Sequence, residues 1–418
     1  MTERLTTPYA ATRSRRGDFV FAGVVAVIAA AISPWSIERL TGRPTLSPRI
    51  LAISLVLDLF LLILMVAALT RGWARKIAFH LAAWTFPVVL LAGVEVVAVA
   101  VHLADRIAPT EDVSTLQNWP RWPPYFLSEA RWAERSSDLR LYRPWRGDGI
   151  AINRLGLRTA PPTPKEPGEW RIAVTGGSAA WGYRVLDVDT VPHRLQDALR
   201  QIDPKVTVYN FGIEGALIHS ELALLKQFRA VYDIDQVIFY TGGNDTVLAY
   251  LSKVNAARGL GWVTDQSTGF ELVKAMQRAL AIWGEPSPQL LANLDQNVLP
   301  PLLRDNSLRE GVRAARAYCD NEHLRCDFFL QPLILTRRPP RGSEAAMVRT
   351  FNRLYPQLGV LNKRLYADAV ASAAPHHIHD FADILDDASL PFFVDLIHLN
   401  ETGNQFIAER IAALIATR

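Results

Sequence analysis

The sequence predicts an α/β domain built on a parallel sheet with helices on both faces, preceded by three transmembrane helices. Two observations carry that expectation. From Trp170 onward, short apolar runs alternate with helical patterns, the arrangement of a parallel sheet covered on both sides. Before about Leu103, three long apolar stretches stand apart in a chain of 418 residues that is 50% apolar overall.

That length gives room for one sizeable domain plus an appendage. Formal net charge is only +4, and the basic residues are scattered without a run, which argues against a nucleic-acid partner. The cysteines, Cys319 and Cys326, have six residues between them across an expected helix-to-strand junction. A single clip in an oxidising compartment and two buried thiols both fit that placement.

The apolar stretches run from about Phe19 to Trp35, Ile50 to Thr70 and Ile77 to Leu103, each near or above the roughly 20 residues that cross a bilayer as helix. The first, preceded by Arg13, Arg15 and Arg16, also reads as a signal peptide; two further spans and no clear cleavage site favour an uncleaved anchor. Arg4, Arg13, Arg15 and Arg16 in the N-terminal tail, with Arg71, Arg75 and Lys76 between spans two and three, outnumber Arg39, Arg43 and Arg49 between spans one and two. By the positive-inside tendency the tail and second loop are cytoplasmic, and everything after Leu103 lies outside the cytoplasmic membrane. Asp58 and Glu95 fall about eight residues from the outer ends of their spans, roughly 12 Å deep. Such carboxylates either pair or act, or tolerate a wet, near-interfacial position.

Residues 1–104 therefore read as the membrane region, and 105–168 as an arm rich in tryptophan and proline, whose Trp119, Trp122, Trp132 and Trp145 fit sugar rings or, the commoner use, packing on a domain or near a membrane. Thr163–Trp170 reads as the last exposed linker before the core. The domain proper is 169–418, with strands expected at Arg171–Thr175, Val206–Asn210, Gln236–Thr241 and Cys326–Gln331. A longer stretch at about 246–304, containing Trp262 and Trp283, reads as a lid-like insertion.

In a parallel sheet the site lies at the carboxyl ends of the strands. After the first strand comes Gly176-Gly177-Ser178-Ala179-Ala180-Trp181-Gly182, whose glycines permit a sharp turn that lifts a hydroxyl off the strand end. Asn210-Phe211-Gly212-Ile213-Glu214-Gly215 follows the second strand and Thr241-Gly242-Gly243-Asn244-Asp245 the third. A glycine amide and a side-chain amide supply two donors for an oxyanion, with Gly215 and Asn244 as candidates. Asp245 reads as a cap for the helix that follows. Near the C-terminus, Asp395-Leu396-Ile397-His398 sets a carboxylate three residues before an imidazole, so that the acid fixes the tautomer while the other ring nitrogen reaches a hydroxyl.

The order Ser, Gly, Asn and Asp-x-x-His, each after a successive strand, resembles the SGNH (GDSL-like) hydrolase family over about Arg171–Arg418. The resemblance implies a flavodoxin-like, three-layer α/β/α sheet. It implies Ser178 as nucleophile, Asp395 and His398 as orienting acid and general base, and the Ser178 and Gly215 amides with the Asn244 side chain as oxyanion hole. Gly177 departs from the family's Gly-Asp-Ser form. Ile152-Asn153-Arg154-Leu155-Gly156-Leu157-Arg158 also resembles a segment found ahead of this domain in exported bacterial members.

No cofactor and no metal is expected. His376, His377 and His379 lack a clear further ligand and read as a surface group. With water as acceptor the implied activity is a serine esterase that deacetylates an extracytoplasmic carbohydrate or cleaves a lipid ester. With a sugar hydroxyl it is an O-acyltransferase of an exported polysaccharide. A noncatalytic scaffold with envelope protein partners, engaged through Asp58 and Glu95, is the reading from a different class. The orientation is directly testable: a reporter active only in the cytoplasm, fused after Arg418, stays silent, and activity there would overturn it.

Overall fold

Residues 15–41, 48–100, 103–111, 132–135, 140–147, 149–257, 286–372 and 377–416 are described by a computed structural model, with a few further positions between 272 and 279. Two compact units result, one drawn from Met1–Leu103 and Gly269–Leu272, the other from Ala104–Thr268 and Val273–Arg418.

In the first unit, apolar helices α1 (Arg15–Ile32), α3 (Pro48–Leu69) and α4 (Trp73–Ala100) cover most of the three apolar stretches, and a short polar helix, α2 (Pro34–Thr41), stands between the first two, where the sequence pattern placed none. Proline opens α2 and α3, where its missing N–H costs nothing, and Gly72, at φ +66°, turns the chain between α3 and α4. Phe19, Leu59, Trp84 and Leu91 point outward. By length and apolarity, one helix among the described residues suffices to cross a membrane, the 23 residues Trp73–Glu95. Two further apolar stretches among the described residues, Asp18–Ile32 and Ile53–Leu69, are shorter. Glu95 is buried and accepts the Leu272 amide at 2.9 Å.

The second unit opens with a short helix α5 (Leu103–Ile107) and two small antiparallel pairs, β1 (Trp132–Arg135) with β2 (Arg140–Tyr142) and β3 (Trp145–Gly147) with β4 (Ile150–Ile152). Then come β5 (Trp170–Gly176), α6 (Ser178–Trp181), α7 (Val191–Arg200), β6 (Val206–Gly212), α8 (Ile218–Tyr232), β7 (Gln236–Thr241) and α9 (Gly243–Ala257). The chain continues through α10 (Pro288–Asn293), α11 (Leu299–Arg304), α12 (Ser307–Asn321), β8 (Arg325–Leu330), α13 (Glu344–Leu354), α14 (Leu358–Ser372), β9 (Ile378–Asp380) and α15 (Glu401–Ala416). Strands β5 to β9 make one fully parallel sheet in the order β6-β5-β7-β8-β9. Counted along the chain that order is 2-1-3-4-5, the doubly wound flavodoxin-like arrangement.

Both faces are buried, so the strands read as continuous apolar runs. Ile172, Val174, Ile238, Tyr240 and Phe329 face one way, against Leu195 of α7, Tyr250 of α9 and Ile411 of α15. Ala173, Val237, Phe239, Phe328 and Leu330 face the other, against Leu225 of α8, Val312 of α12 and Tyr366 of α14. Cys319 and Cys326 are joined as a disulfide between the last turn of α12 and β8. Thr163–Pro167 is strapped down: the buried Arg171 guanidinium donates to the carbonyls of Thr163, Pro164 and Tyr232. Trp132 packs on Tyr142, ring centres 4.5 Å apart, while Trp119, Trp122, Trp262 and Trp283 lie outside the described residues. Of the expected insertion, Leu294, Val298, Leu299 and Leu302 are buried in the core with Val254 and Leu361.

At Gly212 the end of β6 presses against α6, and a Cβ there would stand 2.2 Å from the Trp181 nitrogen and 2.7 Å from the Ala180 carbonyl carbon. Backbone on both sides leaves nothing to yield. Gly212→Ala is expected to cost about 1–3 kcal/mol through overpacking and to lower Tm by several degrees in thermal unfolding; an unchanged Tm contradicts this packing.

Candidate active site

Ser178 is the first residue of α6, a single helical turn that begins where β5 ends. It is 8% exposed. Gly182, in the left-handed region at φ +93°, caps that turn and donates its amide to the Ser178 carbonyl at 3.0 Å. The Ser178 amide stands at the helix start, where backbone donors have no intrahelical partner.

From the far end of the chain, the loop before α15 brings Asp395 and His398 to the same place. Asp395 Oδ1 accepts the amides of Ile397 and His398 at 2.9 and 2.8 Å, which locks the carboxylate against its own loop. Its Oδ2 takes the His398 Nδ1–H at 2.7 Å, and the Ser178 hydroxyl lies 2.6 Å from His398 Nε2. Because the carboxylate only accepts, Nδ1 carries the proton and Nε2 is left as the acceptor. Burial pushes the Asp395 carboxyl up, but the His398 charge and the hydrogen bonds it receives outweigh that and leave it below its ordinary value.

Asn244 enters from the first turn of α9. Its Nδ2 donates to the Ala216 carbonyl at 2.9 Å, leaving one N–H for another acceptor. A Cβ on Gly177 would come within 2.3 Å of that nitrogen. A side chain at 177 would therefore require the Asn244 amide to shift. Gly215, at φ +69°, occupies the turn after β6, closed by the Ala216 amide on the Ile213 carbonyl. Ser178, Gly215 and Asn244 thus stand on three turns at the carboxyl ends of β5, β6 and β7.

Several neighbours carry no sequence signal. The Tyr183 ring lies 4.4 Å from the His398 imidazole, and burial pushes its hydroxyl pKa up. Arg184, at φ +65°, pairs with Glu111. Beneath the His398 loop, Arg337 and Glu344 form an ion pair with both side chains buried, 2.6 Å apart. Glu344 also accepts the amides of Phe392 and Phe393, and Arg337 donates to the carbonyls of Ala388 and Leu390. Arg337 Nε alone of the guanidinium nitrogens is left without a partner, and the other bonds offset the cost of burying both charges.

Asp245 does not cap its own helix. It sits inside the first turn of α9 and accepts the Ile218 amide at the start of α8, at 3.4 Å. Nearby, Glu221 accepts the Thr241 hydroxyl at 2.8 Å. Each carboxyl keeps one buried oxygen without a partner. His377 Nδ1 lies 2.6 Å from Asp327 Oδ1, within hydrogen-bond distance, and His379 stacks on Phe329; His376 lies outside the described residues. Among the described residues no set of three or more His, Cys, Asp or Glu side chains is grouped to hold a metal.

No protein-family profile matches the chain, and no curated protein matches it significantly. Among solved structures similar to it are a lipolytic protein of the G-D-S-L family from Veillonella parvula, an acetyl xylan esterase and a lipase/acylhydrolase from Enterococcus faecalis. The first is 15% identical, covering 60% of this chain and 99% of that one, with a TM-score of 0.33. The second is 12% identical (59% and 99%, TM-score 0.34), and the third 16% (60% and 96%, TM-score 0.34).

Burial raises the Asp245 carboxyl from 3.8 to about 7 and raises that of Glu221 in the same direction, with Asp245 adding repulsion. A carboxyl whose folded pKa lies above its unfolded one contributes stability in full below about pH 4 and loses it as pH rises through about 7. Tm measured from pH 4 to 8 is therefore expected to fall less steeply for Asp245→Asn than for the natural chain, by on the order of 4 kcal/mol of differential stability. Parallel curves contradict the assignment.

Proposed function

We propose that the chain is a membrane-anchored serine esterase of the SGNH type, acting through an acyl-serine intermediate on carbohydrate or lipid esters outside the cytoplasmic membrane. The observation that carries it is the hydrogen-bonded chain Asp395–His398–Ser178, set beside the Gly215 turn and the Asn244 amide.

In this mechanism Ser178 Oγ attacks the ester carbonyl carbon while His398 Nε2 takes its proton, and Asp395 stabilises the resulting imidazolium. The Ser178 and Gly215 amides and the remaining Asn244 N–H receive the carbonyl oxygen as it becomes negative. Collapse of the tetrahedral species breaks the ester C–O bond, and His398 returns the proton to the leaving alkoxide. Water, deprotonated by the same imidazole, then attacks the acyl-serine and releases the acid. A sugar hydroxyl arriving in place of water makes the same residues an O-acyltransferase.

The outside location is supported by the distribution of basic residues around the apolar segments and by the Cys319–Cys326 disulfide, a bond that persists in oxidising compartments. Full-length protein in detergent is expected to be labelled by a fluorophosphonate, to lose labelling in Ser178→Ala, and to lose at least about 10³-fold in kcat on small acetyl esters in His398→Gln. Equal labelling of Ser178→Ala, or no labelling of well-folded natural protein, would sink the enzyme reading. Acetyl transfer to an added polysaccharide in preference to water would replace esterase by transferase.

A further inference from the structure

The segment Ile152–Arg158 lies ahead of the sheet, yet it ends on the most fully used side chain near Ser178. Arg158 is 3% exposed. Its Nε donates to Asp187 Oδ1 at 2.7 Å, Nη1 to the carbonyls of Trp181 and Gly182 at 3.2 and 2.8 Å, and Nη2 to the Val185 carbonyl at 2.7 Å. The guanidinium also lies 4.5 Å from the centre of the Trp181 ring.

Those three carbonyls belong to the end of α6, its left-handed cap and the turn that carries Tyr183. One helical turn is far below the length at which a helix holds itself, and the last carbonyls of a helix have no partner within it. Besides Arg158, α6 is closed by the amides of Trp181 on Gly177 and of Gly182 and Tyr183 on Ser178, and Asn210 Nδ2 shares the Trp181 carbonyl at 3.3 Å.

The rest of the segment braces the arginine. Asn153 Oδ1 accepts the amides of Leu155 and Leu157, and its Nδ2 donates to the Tyr232 hydroxyl at 2.8 Å. Gly156, at φ +82°, passes so close to the Tyr142 carbonyl that a Cβ would stand 2.8 Å from it. Asp187 completes the bracket by accepting the Ala151 amide through Oδ2 at 2.8 Å.

We infer that Arg158 is a positioning residue for acyl transfer. It touches no substrate, and it sets where the Ser178 hydroxyl stands relative to His398 by holding the carbonyl end of α6. The inference rests on the reading of Ser178 as nucleophile. Displacing a reacting atom by about 1 Å costs roughly 10²-fold in rate, whereas binding of a small ester to the site stays as it was.

The test uses full-length protein with 4-nitrophenyl acetate and a fluorophosphonate. In Arg158→Ala, kcat and the labelling rate are expected to fall by roughly 30- to 100-fold with KM changed less than about threefold. Low-millimolar guanidinium or methylguanidinium is expected to restore at least about tenfold of the loss, and ammonium none, because only the planar fork reaches several carbonyls. Natural-level kcat in folded Arg158→Ala overturns the inference, as does a loss that guanidinium leaves unrepaired in protein with unchanged folded content. Should that variant not fold, Arg158→Lys and Asp187→Asn take its place. A fall in kcat at near-constant Tm in both supports the role, and natural kcat in both overturns it. An unlabelled natural protein would fail the nucleophile reading itself, a separate result.

Discussion

The hydrogen bond from Ser178 to His398 Nε2 joins residues 220 positions apart, one at the end of the first core strand and the other in the loop before the final helix. A bond of this kind is directional and short, so both loops must be set to a fraction of an ångström. Apolar packing alone does not deliver that. Around the site the protein uses buried charge instead: Arg158 holds the α6 side, and the Arg337–Glu344 pair holds the His398 side. Each guanidinium ends on backbone carbonyls, and Glu344 ends on backbone amides, so the ions fix main chain and not merely one another. Removing one member of such a network leaves the other charge buried and unpaired, which is why these groups are costly to lose.

Much of the fold is legible in the sequence. The parallel sheet followed from alternating apolar runs, and Gln236–Thr241 formed as a strand over its whole expected length; β5 and β6 each run on into glycine, to Gly176 and Gly212, where a side chain would meet neighbouring main chain. Asp395 and His398 were visible because their contact is local, three residues along one loop. Ser178, Gly215 and Asn244 were visible because each follows a strand, and strand ends in such a sheet converge.

What stayed hidden depends on distant partners. Nothing adjacent to Arg337 or Glu344 announces that they meet beneath a loop some fifty residues later. Tyr183 looks like any turn residue until the fold lays it against His398. Asp245 suits the start of α9 by sequence, but the first turn of α8 lies opposite and takes its carboxylate. The cysteine pair remained open for a related reason: spacing permits a bond, and only the packing of α12 beside β8 brings the sulfurs together. In the apolar N-terminal part, the apolar stretches of the sequence coincide with α1, α3 and α4.

The proposed chemistry is a covalent event at one side chain. Incubating the full-length protein with an acetyl ester, quenching in acid and mapping the digest by mass spectrometry measures it directly. A gain of one acetyl group confined to the peptide bearing Ser178, and lost with time as free acetate appears, is the result this account predicts. Turnover of the ester with no acetyl on Ser178, or acetyl carried on another residue, would contradict it.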